Sequence, residues 1–266
     1  MTEATRPRRP RREQRMERIL GMLSATGTVD VTAIAEDLQV STASVRRDLE
    51  LLEQQQLLVR THGGAVAQSV TYELPLRYRS GRHQDEKRAI AAEAATRVPT
   101  GRCTIGLTGG TTTTQVARRL LDHPDLTVVT NALNIASDLV VRPNIRLVVI
   151  GGVARTESYE LVGPLAEATL ERVNVDLLFL GVDGVSPDAG FTTHHEMEAH
   201  TNAALIGRAG RVVAVADSTK IGNVTFAPIC PMDAVDELIT DSAADPDMVD
   251  RLREAGLQVT IVTPTA

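Results

Sequence analysis

From residue 12 to 27 the apolar residues Met16, Ile19, Leu20 and Leu23 recur at intervals of three and four, the spacing of one helix face, and Gly27 closes the run. A second, short helix is predicted over residues 32–38, with Ile34, Ala35 and Leu38 on one side. Gln39 and Val40 make a tight turn, and Ser41 stands where a third helix, running to about Gln54, needs its N-cap. Val45, Leu49 and Leu52 form the inner stripe of that helix. At about 100° per residue, Arg47 lies about 200° around from Val45 and faces outward, flanked by Ser44 and Arg46. Residues 57–66 read as two short strands joined at Gly63-Gly64, a pair suited to positive φ. The N-terminal pattern is therefore a helix-turn-helix followed by a small β wing.

From residue 85 the pattern alternates between helix and strand. Helices are predicted over 85–97, 113–121 and 132–141, and strands over Cys103–Leu107, Leu126–Thr130, 146–150, 177–182, 211–216, 235–239 and 259–262. The strands are nearly unbroken apolar runs, as expected where helices cover both faces of a mostly parallel sheet. The predicted architecture is a winged helix-turn-helix at 12–67 and an α/β domain at 85–266. A basic arm at 1–11 precedes them, and a linker at 68–84, with Tyr72, Pro75 and Tyr78 but little period, joins them.

Composition adds one decisive feature. The net charge of −6 conceals an asymmetry, because the first 20 residues hold seven arginines against three glutamates. A basic end on an acidic body fits a protein that touches a polyanion at one end only. The hydrophobic fraction of 42% and charged fraction of 23% are those of a globular chain, and no apolar run approaches the length that crosses a bilayer. The two cysteines lack metal-ligand or disulfide-framework spacing, so a reducing cytoplasm is the expected compartment. With no Trp and only 2% aromatics, stacking platforms for RNA bases are scarce.

The candidate chemistry follows from these placements. A third helix in the major groove brings Ser41, Thr42, Ser44, Arg46 and Arg47 toward base edges and phosphates, while the wing offers Arg60, His62 and the open backbone at Gly63. Asp48, beside the inner stripe, is expected to serve a neighbouring arginine. In the α/β domain the polar residues collect at strand ends, where such sheets bind ligands. Gly109, Gly110, Thr111, Thr112 and Thr113 form a strand-to-helix turn with close-approach glycines, hydroxyls and a helix N-terminus, a credible phosphate cradle. Neither Gly-Lys-Ser/Thr nor G-x-G-x-x-G is present, so no nucleotide cofactor is expected. Asn131, Asp183 and Lys220 lie at further strand ends, a set suited to a polyhydroxylated, phosphorylated ligand.

These motifs carry a family resemblance. Residues 12–67, through Val40-Ser41-Thr42-Ala43-Ser44-Val45-Arg46-Arg47-Asp48-Leu49 and Arg60-Thr61-His62-Gly63-Gly64-Ala65, resemble the DeoR-type winged helix-turn-helix. Residues 85–255, through Gly110-Thr111-Thr112, Gly151-Gly152, Gly181-Val182-Asp183-Gly184, Asp217-Ser218-Thr219-Lys220 and Thr240-Asp241, resemble the DeoR effector domain, which is similar in fold to ribose-5-phosphate isomerase. The resemblance implies a repressor of carbohydrate genes that binds operator DNA as a homodimer or homotetramer and responds to a sugar phosphate. It also implies that the threonine loop holds the phosphate, with Asp183, Glu198 and Lys220 near the sugar. The chain departs from the family pattern at Ser44-Val45, where Thr-Ile is usual, and at Thr108, where Asp is usual.

The stretch Thr193-His194-His195-Glu196-Met197-Glu198-Ala199-His200 is one residue too long for H-E-x-x-H and reads as a helix start capped by Thr193, with no metal expected. A second reading of the domain, a sugar-phosphate isomerase carrying a DNA-binding arm, would use Asp183, Glu198 and Lys220 as base and cation.

Overall fold

The computed structural model describes residues 11–55, 57–67 and 73–264, the side chains of Ser24 and Ala25 excepted, and the chain divides into two compact units between Gly81 and Arg82. The expected basic arm, save Arg11, and residues 68–72 of the expected linker lie outside the described residues. The rest of the linker up to Gly81 belongs to the first unit, because Leu74 and Tyr78 pack into its core.

The first unit comprises α1 (Arg12–Thr26), β1 (Thr28–Asp30), α2 (Val31–Asp37), α3 (Thr42–Gln54), β2 (Val59–Arg60), β3 (Gly64–Val66) and α4 (Leu76–Arg79). Gly27 ends α1 in the left-handed region, with φ 72°. Asp30 caps α2 by accepting from the amides of Thr32 and Ala33, and Ser41 caps α3 by accepting from the amide of Ser44 at 3.2 Å. Ile19, Leu20, Leu23, Ile34, Val45 and Leu52 are fully buried between the three helices. The wing is a three-stranded antiparallel sheet in the order β1-β3-β2. Its extra strand, β1, is three residues long, too short to show a period. The glycine pair also serves a different purpose from the one expected. Neither Gly63 nor Gly64 has a positive φ; instead a Cβ on Gly64 would lie 1.8 Å from the carbonyl oxygen of Val29. Glycine is needed there for close strand approach.

The second unit comprises α5 (Gln84–Ala95), β4 (Cys103–Leu107), α6 (Thr111–Arg119), β5 (Leu126–Thr130), α7 (Leu133–Leu139), β6 (Ile145–Val149), β7 (Val153–Ala154), β8 (Leu161–Val162), α8 (Pro164–Leu170), β9 (Leu177–Gly181), β10 (Gly184–Ser186), β11 (Gly190–Thr193), α9 (Glu196–Ile206), β12 (Val212–Val215), β13 (Ala227–Cys230), β14 (Glu237–Asp241), α10 (Pro246–Glu254) and β15 (Gln258–Val262). Seven strands form one sheet in the order β15-β14-β12-β9-β4-β5-β6, and every pairing in it is parallel. Alternate residues feed opposite faces. Leu177, Phe179, Val213 and Val215 join the core under α5, α6 and α7, while Leu178, Leu180, Val212 and Ala214 join that under α8, α9 and α10. Two small antiparallel elements, β7-β8 and β10-β11-β13, escaped the periodicity reading because their strands are two to four residues long. Among the described residues no helix is long and apolar enough to cross a membrane.

Chain order reverses between β4 and β9, so the strand ends there open a crevice. At the opposite end of the sheet, Glu237 is completely buried and accepts from Arg97 Nη2, Arg211 Nη2 and Thr260 Oγ1, each at 2.7 Å. Burial pushes its carboxyl up, but the Arg97 and Thr260 hydrogen bonds and the two guanidinium charges outweigh that and hold it below its ordinary 4.5. A lowered carboxyl adds stability that is complete above the unfolded value and is lost as pH falls through the folded one. The melting temperature should therefore fall as pH drops below 4.5. Glu237→Gln should destabilise the second unit by about 3 kcal/mol at pH 7 and flatten that acid limb. Calorimetry between neutral and acid pH checks both.

Candidate functional site

The outer face of α3 carries two exposed arginines. Arg46 and Arg47 are exposed, and neither makes an ion pair among the described residues. The helix beneath them is braced from below: Asp48, 1% exposed, accepts from Arg15 Nε at 2.8 Å and Arg15 Nη2 at 3.1 Å. Asp48 is thus the structural partner expected of it. Thr42 is exposed at the first turn, and Ser44 is half-buried with its hydroxyl 3.0 Å from that of Ser41, which is committed to capping. In the wing, His62 and Gly63 are exposed at the tip, while Arg60 is tied back to α3, its amide donating to Glu53 Oε1 at 3.1 Å. Of the expected residues all but Ser44 are exposed, with Ser41 and Arg60 also serving the fold.

The second cluster lies at the crevice between β4 and β9. Gly110 caps α6 with φ 130°, a conformation open to glycine and strained for other residues, and α6 begins at Thr111, two residues earlier than expected. The first-turn amides of Thr111, Thr112 and Thr113 point out of the helix end without intrahelical partners. The hydroxyls of Thr113 and Thr114 instead donate to the Gly110 carbonyl, at 3.0 and 2.6 Å, so the backbone supplies the donors that face outward. Thr108 does not face this loop's opening. It is fully buried, and its Oγ1 accepts from the amide of Gly181 at 2.9 Å, locking β4 to β9.

Two residues beyond Gly181 a connected polar chain begins. Lys220 Nζ is 3.6 Å from Asp183 Oδ1, and Thr193 Oγ1 lies 3.1 Å from both Asp183 Oδ2 and Glu198 Oε2. One hydroxyl proton thus serves two carboxylates. Arg155 closes the chain by donating through Nη1 to Glu198 Oε1. Two cations thus face the two carboxylates of this chain, with Glu157 also 3.6 Å from Arg155. Asn131, 2% exposed, joins the cradle side by donating to Glu160 Oε2 at 3.1 Å. All nine expected ligand-site residues thus come from loops or helix starts at this one edge of the sheet.

Sequence reasoning missed Arg155, Glu160 and Lys87. Arg155 and Glu160 lie between β7 and β8, a segment without period. Lys87 did leave a signal, because it occupies the inner stripe of α5 with Ile90, Ala91 and Ala94. It is 4% exposed, donates to the Arg82 carbonyl at 2.6 Å and lies 3.8 Å from Asp217 Oδ2. Burial pushes the Asp217 carboxyl up, but the Thr219 hydrogen bond and the charges of Lys87, Lys220 and His83 hold it below its ordinary 3.8. The helix cap before Glu196 is also reassigned. His195, not Thr193, caps α9, its Nδ1 accepting from the amide of Met197 at 3.2 Å, while Thr193 is drawn to the two carboxylates.

Comparison with known proteins matches both units. Residues 15–71 match the DeoR-like helix-turn-helix domain, and residues 82–242 match the DeoR C terminal sensor domain. The chain is 34% identical over 247 residues to the putative aga operon transcriptional repressor of Escherichia coli O157:H7, covering 92% of this chain and 91% of that protein. It is 31% identical over 244 residues to the glycerol-3-phosphate regulon repressor of Escherichia coli K12, covering 91% and 95%. Ribose 5-phosphate isomerase from Plasmodium falciparum overlaps in part, with 14% identity and a TM-score of 0.38 over 50% of this chain and 51% of that one.

Removing Lys87 tests how the crevice floor is held. Lys87→Met leaves a carboxylate only 3% exposed without its nearest cation and should destabilise the second unit by about 3 kcal/mol. It should also raise the Asp217 carboxyl, which titration by nuclear magnetic resonance would detect. An unchanged melting temperature would mean that Thr219 and the other cations hold Asp217 without Lys87.

Proposed function

The chain belongs to the DeoR family of DNA-binding transcription regulators, and on that premise we propose that it is a repressor whose hold on operator DNA is set by a phosphorylated sugar. The observation that carries the DNA half is the exposed pair Arg46 and Arg47 on α3, left without ion-pair partners among the described residues while the helix under them is anchored by Asp48 and Arg15. With α3 in the major groove, an arginine reaches guanine O6 and N7 in bidentate fashion, and Thr42 and Ser44 contact phosphates or base edges. His62, Gly63 and Arg60 in the wing meet the backbone alongside. Paired half-sites call for a homodimer or homotetramer.

The effector half rests on the pairing of an anion-attracting helix start with a charge-balanced polar chain. Gly109 to Thr113 hold the phosphate, Asn131 flanks it, and Asp183, Glu198 and Lys220 read the sugar hydroxyls, with Arg155 holding Glu198 in place. No resident cofactor or metal enters this reading, and the ligand is a signal rather than a substrate. Its effect on DNA binding requires that it favour one conformational state over another.

A gel shift against the DNA upstream of the protein's own gene, with a panel of sugar phosphates at one fixed salt concentration, tests both halves. Arg46→Ala and Arg47→Ala should each weaken specific binding at least about tenfold while leaving ligand affinity unchanged. Operator affinity equal to that of the parent in both variants would refute the assignment of α3, and a panel without effect on the shift would refute the effector class.

A further inference from the structure

The turn between β7 and β8 lays an acidic side chain on the cradle itself. Glu160 is 5% exposed, and its Oε2 accepts from Asn131 Nδ2 at 3.1 Å. A Cβ placed on Gly109 would lie 2.1 Å from Glu160 Oε1 and 2.4 Å from its Cγ. The carboxylate thus fills the space that the absent side chain of Gly109 leaves, one residue before the cap of α6. A second polar group marks the same spot. Asn131 spends its amide nitrogen on Glu160 and on the Leu161 carbonyl, while its Oδ1 is buried without a hydrogen-bond partner. Buried polar atoms in folded proteins are normally satisfied, so this one points to a donor that arrives with a ligand.

A helix start favours any oxyanion, carboxylate or phosphate. It does not favour two at once, because like charges a few ångströms apart repel strongly where water is excluded. We propose that the Glu160 carboxylate is an internal occupant of the cradle, and that a phosphorylated effector binds by pushing it off Gly109. This rests on the reading of residues 109–113 as the phosphate site. It gives the site a threshold: a phosphate group, with more charge than the single carboxylate, displaces Glu160, whereas a neutral sugar does not. The same six-residue connection carries Arg155, which holds Glu198 on the sugar side. Displacing Glu160 at one end of that connection therefore acts on the segment that orders the other half of the site.

The test is calorimetric titration of the full chain, and of its Glu160→Gln and Glu160→Ser variants, with inorganic phosphate and with ribose 5-phosphate. Gln keeps the size of the side chain without the charge, and Ser removes the group should Gln impair folding. Both variants should bind inorganic phosphate and ribose 5-phosphate at least about tenfold more tightly than the parent, since one like charge has gone. Equal phosphate affinity in all three proteins would overturn the role of Glu160 and leave the cradle intact as a phosphate site. Weaker binding by the variants would make Glu160 a ligand contact and overturn the proposal. No phosphate binding by any of them would overturn the cradle reading together with it.

Discussion

The ligand edge of the second unit depends on how closely β4 and β9 run together at their ends. The amide of Thr108 donates to the Phe179 carbonyl at 3.3 Å, and the amide of Gly181 donates back to the Thr108 hydroxyl at 2.9 Å. No side chain fits at Gly181, because its Cβ would lie 2.5 Å from the carbonyl oxygen of Gly109. The two strands therefore release their following loops at one point. The first loop turns into α6 and the second runs to Asp183, so the start of that helix and this carboxylate both follow from one strand-to-strand contact. This arrangement gives Thr108 its place: its buried hydroxyl belongs to the strand-to-strand lock.

The two units treat charge in opposite ways. On α3, Arg46 and Arg47 are exposed and make no ion pair among the described residues, while the internal pair beneath them, Asp48 with Arg15, fixes the helix. In the crevice every formal charge of the polar chain has an opposite neighbour: Lys220 with Asp183, Arg155 with Glu198, Lys87 with Asp217. Buried charges must be paired to be tolerated.

Much of this was legible in the residue pattern. The inner stripe Val45, Leu49, Leu52 fixes which way Arg47 points, and the structure places it outward. The apolar runs at Leu177–Gly181 and Val212–Val215 announce central parallel strands, and the polar residues that follow several strands lie at the C-terminal edge of the sheet. What escaped were strands of two to four residues, such as β1, β7 and β8, too short to show alternation; β1 moreover pairs with a strand 34 to 38 residues later. The purpose of Gly64 was hidden for the same reason, since the group it must approach, the Val29 carbonyl, lies 35 positions earlier in the chain.

From the order of its residues alone this chain commits to a winged helix-turn-helix followed by an α/β domain, because amphipathic period, capping residues and apolar strand runs are local properties. The same order marks Arg46 and Arg47 as outward-facing and the glycine-threonine turn as a strand-to-helix junction. Only the tertiary structure decides who meets whom: that Arg155 reaches Glu198, that Lys87 turns inward to Asp217, that Thr193 bridges two carboxylates, and that Glu160 rests on Gly109. These contacts span from five to 130 residues of chain, and they are set by the packing of a sheet in which β4 and β9, far apart in sequence, lie side by side.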